Sequence, residues 1–274
     1  MKPPPFDYVA PSSVSDATQA LREHGEDAKV LAGGQSLIPL LSLRLARPTV
    51  LVDLNRVTEL TGVTVDDAAG TTTIGAMTRH RTLERDREIA RTVPLLTAAA
   101  PYIGHIAIRS RGTIGGSLSH ADPAAELPAI AVALDATIVT TTREIAASEF
   151  FDGYFTTALA SDEIVTAVRF PVAAPGTKAT VKEVARRHGD FAMVAVAAQR
   201  SPDGDARISL INVADRPVRA REAEAALRDG ASIEDAAELA TRDLDPVSDL
   251  HATAAYRRAV AKTLVKRALA EVAA

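Results

Sequence analysis

Two short glycine-bearing segments, Ala32-Gly33-Gly34-Gln35-Ser36 and Thr113-Ile114-Gly115-Gly116-Ser117, are the residues whose types and spacing best suit binding chemistry. Glycine lets a backbone approach a ligand closely, and successive unpaired N–H groups form a concave anion site without a charged side chain. Each segment has apolar residues behind it, and the stretch between them is long enough for a small subdomain. Two such loops can face each other across one elongated anionic ligand, and a dinucleotide pyrophosphate suits them. The first loop offers the N–H groups of Gly33 to Leu37 at the start of a helix, where the helix dipole favours negative charge, with Ser36 as an added hydroxyl donor. The second is preceded by Arg109 and Arg111, which read as solvated cations. Alone, the first reads equally well as a strand-to-helix turn, and the second reads better as a tight turn; the pair together is what points to a ligand.

Further polar residues follow the second loop. Asp122-Pro123 reads as a helix N-cap with proline at the first helical position. Glu126, four residues on, could face the same way and accept hydrogen bonds from ribose or ribityl hydroxyls. His120 sits three residues past the loop, within reach of a bound cofactor.

Other chemistries are disfavoured. No G-x-x-x-x-G-K-[ST] run is present, and neither glycine segment fits G-x-G-x-x-G, which argues against P-loop and Rossmann sites. The six histidines lack metal-ligand spacing. The chain has no cysteine, so it cannot ligate an iron–sulfur cluster through thiolates, form a disulfide or use a thiol nucleophile. A net charge of −4 without a basic stripe argues against nucleic-acid binding. MKPPPFDYVAPSS lacks the apolar centre of a secretory signal, and the apolar run near Leu127–Leu134 is cut short by Asp135. The expectation is therefore a cytoplasmic protein without a membrane span.

The elements that must position these residues read as an α+β chain in three pieces. Asp16 to His24 reads as a helix capped by Ser15 or Asp16. Lys29–Ala32, a helix over Ser36–Leu45 and Val50–Leu54 make a β-α-β unit, expected to be right-handed. Leu37, Ile38, Leu41 and Leu45 would cover one face of its helix. Short strands over Thr61–Val65 and Thr71–Gly75 precede helices over Thr82–Ala90 and Pro94–Ile103, then the second loop and a helix from Pro123. Strands are expected over Ala136–Thr140 and Glu163–Phe170. After a linker at Pro171–Gly176, Lys178–Arg187, Phe191–Gln199 and Arg207–Val213 alternate like a three-stranded antiparallel sheet. Helices near Arg219–Leu227, Ile233–Ala240 and Ala252–Val272 complete the chain. The N-terminal prolines suggest an extended arm.

Taken together, AGGQS at 32–36, VLVDLNRVTEL at 50–60, IGAMT at 74–78, IRSRGTIGGSLSHADPAAELPA at 108–129 and RRHGDFAMVAVAA at 186–198 are similar to the FAD-binding medium subunit of molybdenum hydroxylases, as in carbon monoxide and xanthine dehydrogenase-like complexes. The match runs in order along essentially the whole chain. It implies a two-subdomain FAD-binding domain of the vanillyl-alcohol oxidase and cresol methylhydroxylase (PCMH) type over 1–172, divided near residue 56. A smaller α+β domain with a three-stranded antiparallel sheet would occupy 173–274.

Carried over by position, the resemblance implies that Leu31, Ala32, Gly33, Gly34, Gln35, Ser36 and Leu37 line the FAD with Thr113, Ile114, Gly115, Gly116 and Ser117. Ile103, Gly104 and Ile108 would form a wall, Asp122 and Glu126 would lie on the ribityl or adenosine side, and Ile164 or Val165 would pack near the flavin ring. Glu126 stands where the family's xanthine-dehydrogenase branch has aspartate, and Met193 where that branch has lysine. Covalent flavoprotein oxidases of this fold carry, at the place of Gln35, a histidine that can bond to the flavin; Gln35 cannot, so FAD is expected to be noncovalent. The implied function is electron transfer from [2Fe–2S] clusters on a small partner subunit to an external acceptor. Substrate chemistry would sit on a large molybdenum-pterin subunit, in a dimer of heterotrimers, and this chain would supply no catalytic acid, base or metal ligand. A self-contained flavin reductase of the same fold, enolpyruvyl-reductase-like, and a non-redox scaffold subunit are the alternatives.

Overall fold

The computed structural model describes all 274 residues. Strands β1 (Asp7–Val9), β2 (Ala28–Leu31) and β3 (Val50–Asp53) form a parallel sheet in the order β1-β3-β2. β3 is buried along its length, as a continuous apolar strand at the centre of a parallel sheet should be. The expected extended arm is β1, paired with β3 from Asp7↔Val50 to Val9↔Val52. Helix α1 (Val14–His24) is capped by Ser13 rather than Ser15 or Asp16, its hydroxyl accepting from the Asp16 amide at 3.1 Å. It buries Ala17, Ala20 and Leu21 against β3. Helix α2 (Leu37–Ser42) is shorter than expected, because Arg44 takes a left-handed φ of 59°. It buries only Leu41, leaving Ile38 and Leu45 exposed.

The next piece is an antiparallel sheet of β4 (Val63–Asp66), β5 (Thr71–Gly75), β6 (Thr137–Thr140), β7 (Glu144–Ala146) and a seven-residue strand over Val165–Pro171, in the order β4-β5-(165–171)-β6-β7. The expected helix over Thr82–Ala90 is two helices, α3 (His80–Arg85) and α4 (Arg87–Thr92), divided at Asp86, whose carboxylate caps the second. Helix α5 (Pro94–Ala99) passes into a single turn at Ala100–Tyr102 and then into α6 (Ile106–Arg111). Helices α7 (Ile114–His120) and α8 (Glu126–Ala133) follow. Every residue of α8 is buried. With α5 and the sheet it forms the largest apolar core.

In the C-terminal region the antiparallel sheet has four strands rather than three: Lys178–Val184, Val194–Arg200, Ala206–Ile211 and the short Val218–Arg219. Val194–Arg200 alternates between two cores. Val194, Val196 and Ala198 pack with the helices over 221–228, 233–241 and 254–273, while Ala197 joins the large core with Val181. The architecture is α+β, as the sequence predicts. No helix is long and apolar enough to cross a membrane.

Candidate functional site: two glycine loops held in contact

The first loop leaves the C-terminal end of β2, the end at which open parallel sheets present ligands. Gly34 turns the chain with a φ of +73°, a conformation costly for other residues. The amides of Gly33, Gly34, Gln35, Ser36 and Leu37 donate to no backbone carbonyl, and the Gln35 side chain folds back onto the Gly33 carbonyl at 2.9 Å. Because α2 spans only six residues, the free amides carry the attraction for an anion far more than any helix dipole.

The second glycine segment differs from expectation. It is the first turn of α7, with Thr113 as its cap: the Thr113 hydroxyl accepts from the Gly116 amide at 3.1 Å. The Ile114 and Gly115 amides bond to the Thr78 and Ala76 carbonyls at 3.1 and 2.8 Å, so these donors serve the fold. A Cβ at Gly115 would lie 2.6 Å from that of Ala76, which explains why glycine is needed there despite its poor helix propensity.

The two segments touch. A Cβ built on Gly33 would lie 2.3 Å from the Arg111 carbonyl oxygen and 2.8 Å from the Gly112 Cα. One built on Gly116 would come within 3.4 Å of the Ala32 Cβ. The glycines therefore allow one loop to dock on the other as well as leaving room for a ligand. His80 supports the junction from below: its Nε2 lies 2.9 Å from the Thr113 carbonyl. Burial pulls its pKa down to about 4, so the ring is neutral, and Nε2–H must be the donor because a carbonyl can only accept.

Of the other expected residues, Ile103 and Gly104 form a turn whose carbonyls accept from Arg109 Nη1 at 3.2 and 2.9 Å, and Ile108 packs against Gly104. Arg109 is buried, not solvated; it also pairs with Glu84 at 3.0 Å. His120 tilts against Phe155 with ring centroids 5.1 Å apart, and burial lowers its pKa. Asp122 is not the cap of α8. Its carboxylate accepts from the Ala124 amide at 2.9 Å in a local turn, and α8 starts at Glu126. Ile164 lies 3% exposed in the core beside α1 and β3, so its side chain does not line an open wall, and Val165 is buried in the large core.

Glu126 is buried, and burial pushes its pKa to about 8, with Glu183 and Asp122 adding to the rise. Burial likewise pushes Glu183 to about 7, and its Oε2 is buried without a hydrogen-bond partner. For acids raised above their ordinary value of 4.5, the folded state binds more protons than the unfolded one. The stability they contribute is intact below that value and is lost as pH rises through about 7 and 8. Melting temperature should therefore fall from mildly acidic to mildly alkaline pH, and Glu126→Gln should flatten the decline; an unchanged slope would contradict this account.

The sequence reading missed a set of polar residues around the junction. Asp53 accepts from the Tyr8 hydroxyl and, through Oδ1, from the Asn55 amide at 2.8 Å and the Asn55 side chain. Asn55 Nδ2 donates to the Ala32 carbonyl at 2.9 Å, and Arg79 Nη2 donates to Asn55 Oδ1 at 2.7 Å. The signal available was the D-x-N sequence whose aspartate ends an otherwise apolar strand, where turn chemistry and the binding end of a parallel sheet coincide.

Residues 4–173 match the family model described as the FAD binding domain in molybdopterin dehydrogenase. Residues 179–272 match the CO dehydrogenase flavoprotein C-terminal domain. The chain belongs to this FAD-binding family. Among its relatives, the alpha subunit of the 6-hydroxypseudooxynicotine dehydrogenase complex from Paenarthrobacter nicotinovorans is 41% identical over 99% of this chain and 95% of that protein. The carbon monoxide dehydrogenase medium chain of Hydrogenophaga pseudoflava is 37% identical over 98% and 97%. The solved structure of carbon monoxide dehydrogenase from the same organism, in the form lacking the Mo-pyranopterin moiety, contains a chain that superposes with a TM-score of 0.94 at 39% identity, covering 98% of each chain. The flavoprotein is thus an oxidoreductase subunit whose cofactor is FAD. Its residues fit that cofactor: a run of free amides beside a second loop in backbone contact suits a pyrophosphate.

Proposed function

We propose that this flavoprotein is the electron-transfer subunit of a molybdenum-containing hydroxylase or dehydrogenase, and that the two glycine loops hold the FAD pyrophosphate. The observation that carries the site is the run of free amides from Gly33 to Leu37, docked against the segment that begins α7. In this reading residues 1–172 hold the cofactor and 173–274 complete its surroundings. The Gly33–Leu37 amides bind the diphosphate, and the Thr113 and Gly115 contacts keep the opposing wall rigid. Ser36 and Ser117 add hydroxyl donors, and Gly104, Ile108, His120 and Asp122 belong to the flanking surface, whereas Glu126 is buried in α8. Ile164 stands outside the site: its side chain is in the core, and its amide and carbonyl both bond to Thr141, at 3.2 and 2.9 Å. FAD supplies the capacity to collect electrons and pass them on; the protein binds, orients and tunes it.

Gln35 offers an amide where a covalent attachment would need a nucleophilic side chain, so FAD is held noncovalently. With no cysteine in the chain, the [2Fe–2S] clusters that feed it belong to a small partner subunit and the molybdenum-pterin centre to a large one. The assembly is a dimer of such heterotrimers in the cytoplasm. The test is to reconstitute the chain with FAD, alone and with its two partners, and to follow flavin bleaching anaerobically. Alone it should bind flavin and show no turnover with reduced nicotinamide, and with its partners it should bleach when the complex's substrate is added. Turnover by the isolated chain would instead support a self-contained flavin reductase, and a chain that never takes up flavin a scaffold.

A further inference from the structure

We propose that Arg79 and Asn55 are positioning residues whose side chains set the gap between the two glycine loops and thereby fix how tightly the chain holds FAD. The inference rests on the reading of those loops as the pyrophosphate site and adds the device that spaces them. From the first loop, the Ala32 carbonyl accepts from Asn55 Nδ2 at 2.9 Å. From the second, the Arg111 carbonyl accepts from Arg79 Nη1. The two side chains join at 2.7 Å, Arg79 Nη2 to Asn55 Oδ1. No backbone amide bonds to either carbonyl. The Arg111 oxygen is also the atom against which Gly33 is packed, so the bridge and the glycine contact act on the same junction.

Both ends of the bridge are anchored. Asp53 takes hydrogen bonds from the Asn55 amide and side-chain nitrogen, which commits Nδ2 to donating and leaves Oδ1 for Arg79. Tyr8 of β1 holds the other oxygen of Asp53. Arg79 starts from a backbone bridge to Thr113, and the next amide, that of His80, bonds to the Gly112 carbonyl at 3.0 Å. A planar guanidinium can reach two acceptors in different directions with fixed geometry, whereas a lysine ammonium is a point charge on a flexible stem.

FAD titrated into the flavin-free full chain, read by flavin fluorescence, tests the bridge. Arg79→Ala and Asn55→Ala should each raise the Kd about tenfold or more. The double variant should be little worse than the weaker-binding single one, because both substitutions break one connection. Arg79→Lys keeps the charge and should bind as poorly as Arg79→Ala. Melting curves of the flavin-free variants separate lost spacing from lost folding, and Asn55→Ala reaches the same junction from the other side. Wild-type affinity in Arg79→Ala and Asn55→Ala, or full rescue by Arg79→Lys, would overturn the bridge while leaving the FAD site standing. A wild-type chain that takes up no FAD would overturn the site reading itself.

Discussion

Replacing Gly33 by alanine is expected to weaken FAD binding by roughly 5- to 150-fold. The added methyl would meet backbone on the facing segment, with the Arg111 oxygen at 2.3 Å and its carbonyl carbon at 2.9 Å. Backbone cannot swing aside as the end of a flexible side chain can, so the loops must part. Overpacking of this kind costs about 1–3 kcal/mol. The strain falls on the junction that orients the free amides of Gly33 to Leu37. Gly25→Ala is the matched control: that residue has a φ of +55°, yet no atom lies within 4 Å of its added Cβ. It should cost some stability and leave FAD affinity unchanged. Equal affinity in Gly33→Ala and wild type would mean that loop contact does not matter to the ligand.

Arg109→Met should produce the largest loss of stability, about 3 kcal/mol, because it leaves three carbonyls without their donor and takes the main partner from a half-buried Glu84. Arg109 is 7% exposed; it pairs with Glu84 at 3.0 Å and donates to the carbonyls of Pro101, Ile103 and Gly104 at 3.3, 3.2 and 2.9 Å. Methionine fills similar space but leaves those carbonyls unpaired, and Glu84 keeps only Arg81 at 3.2 Å. For a chain of this size the melting temperature should drop by roughly 10 °C. Adding Glu84→Gln should recover part of the loss, because the stranded carboxylate is then gone. A fall below about 1 kcal/mol would show that water reaches and satisfies these groups, contrary to the burial of Arg109.

The legible parts of this molecule were those where local chemistry and tertiary structure agree. A short apolar strand followed by Gly33-Gly34 and an apolar helix could be read directly, as could the alternating strands after residue 177. The segment Thr113–Ser117 reads as a loop because glycine disfavours helix by about 1 kcal/mol. It is helical because Thr113 caps it, Ile114 and Leu118 are buried, and Ala76 leaves no room for a side chain at position 115. Helix α8 is apolar on nearly all sides, so periodicity gives no phase, and Asp122-Pro123 imitates a start three residues early. Arg109 is an arginine in a polar stretch; nothing local distinguishes a buried arginine from a solvated one. The bridge from Tyr8 through Asp53, Asn55 and Arg79 joins residues far apart in sequence, so only the folded chain assembles it.

Hydrogen exchange of the individual backbone amides, measured on the flavin-free chain with and without FAD, tests the central claim most directly. The Gly33–Leu37 amides, which donate to no carbonyl, should exchange freely without FAD and become protected when it is added. Those of Ile114 and Gly115 should be protected in both states, because they already bond to Thr78 and Ala76. Riboflavin, which has no pyrophosphate, should leave Gly33–Leu37 unprotected. FAD binding that leaves exchange at Gly33–Leu37 unchanged would contradict the account and place the diphosphate elsewhere on the chain.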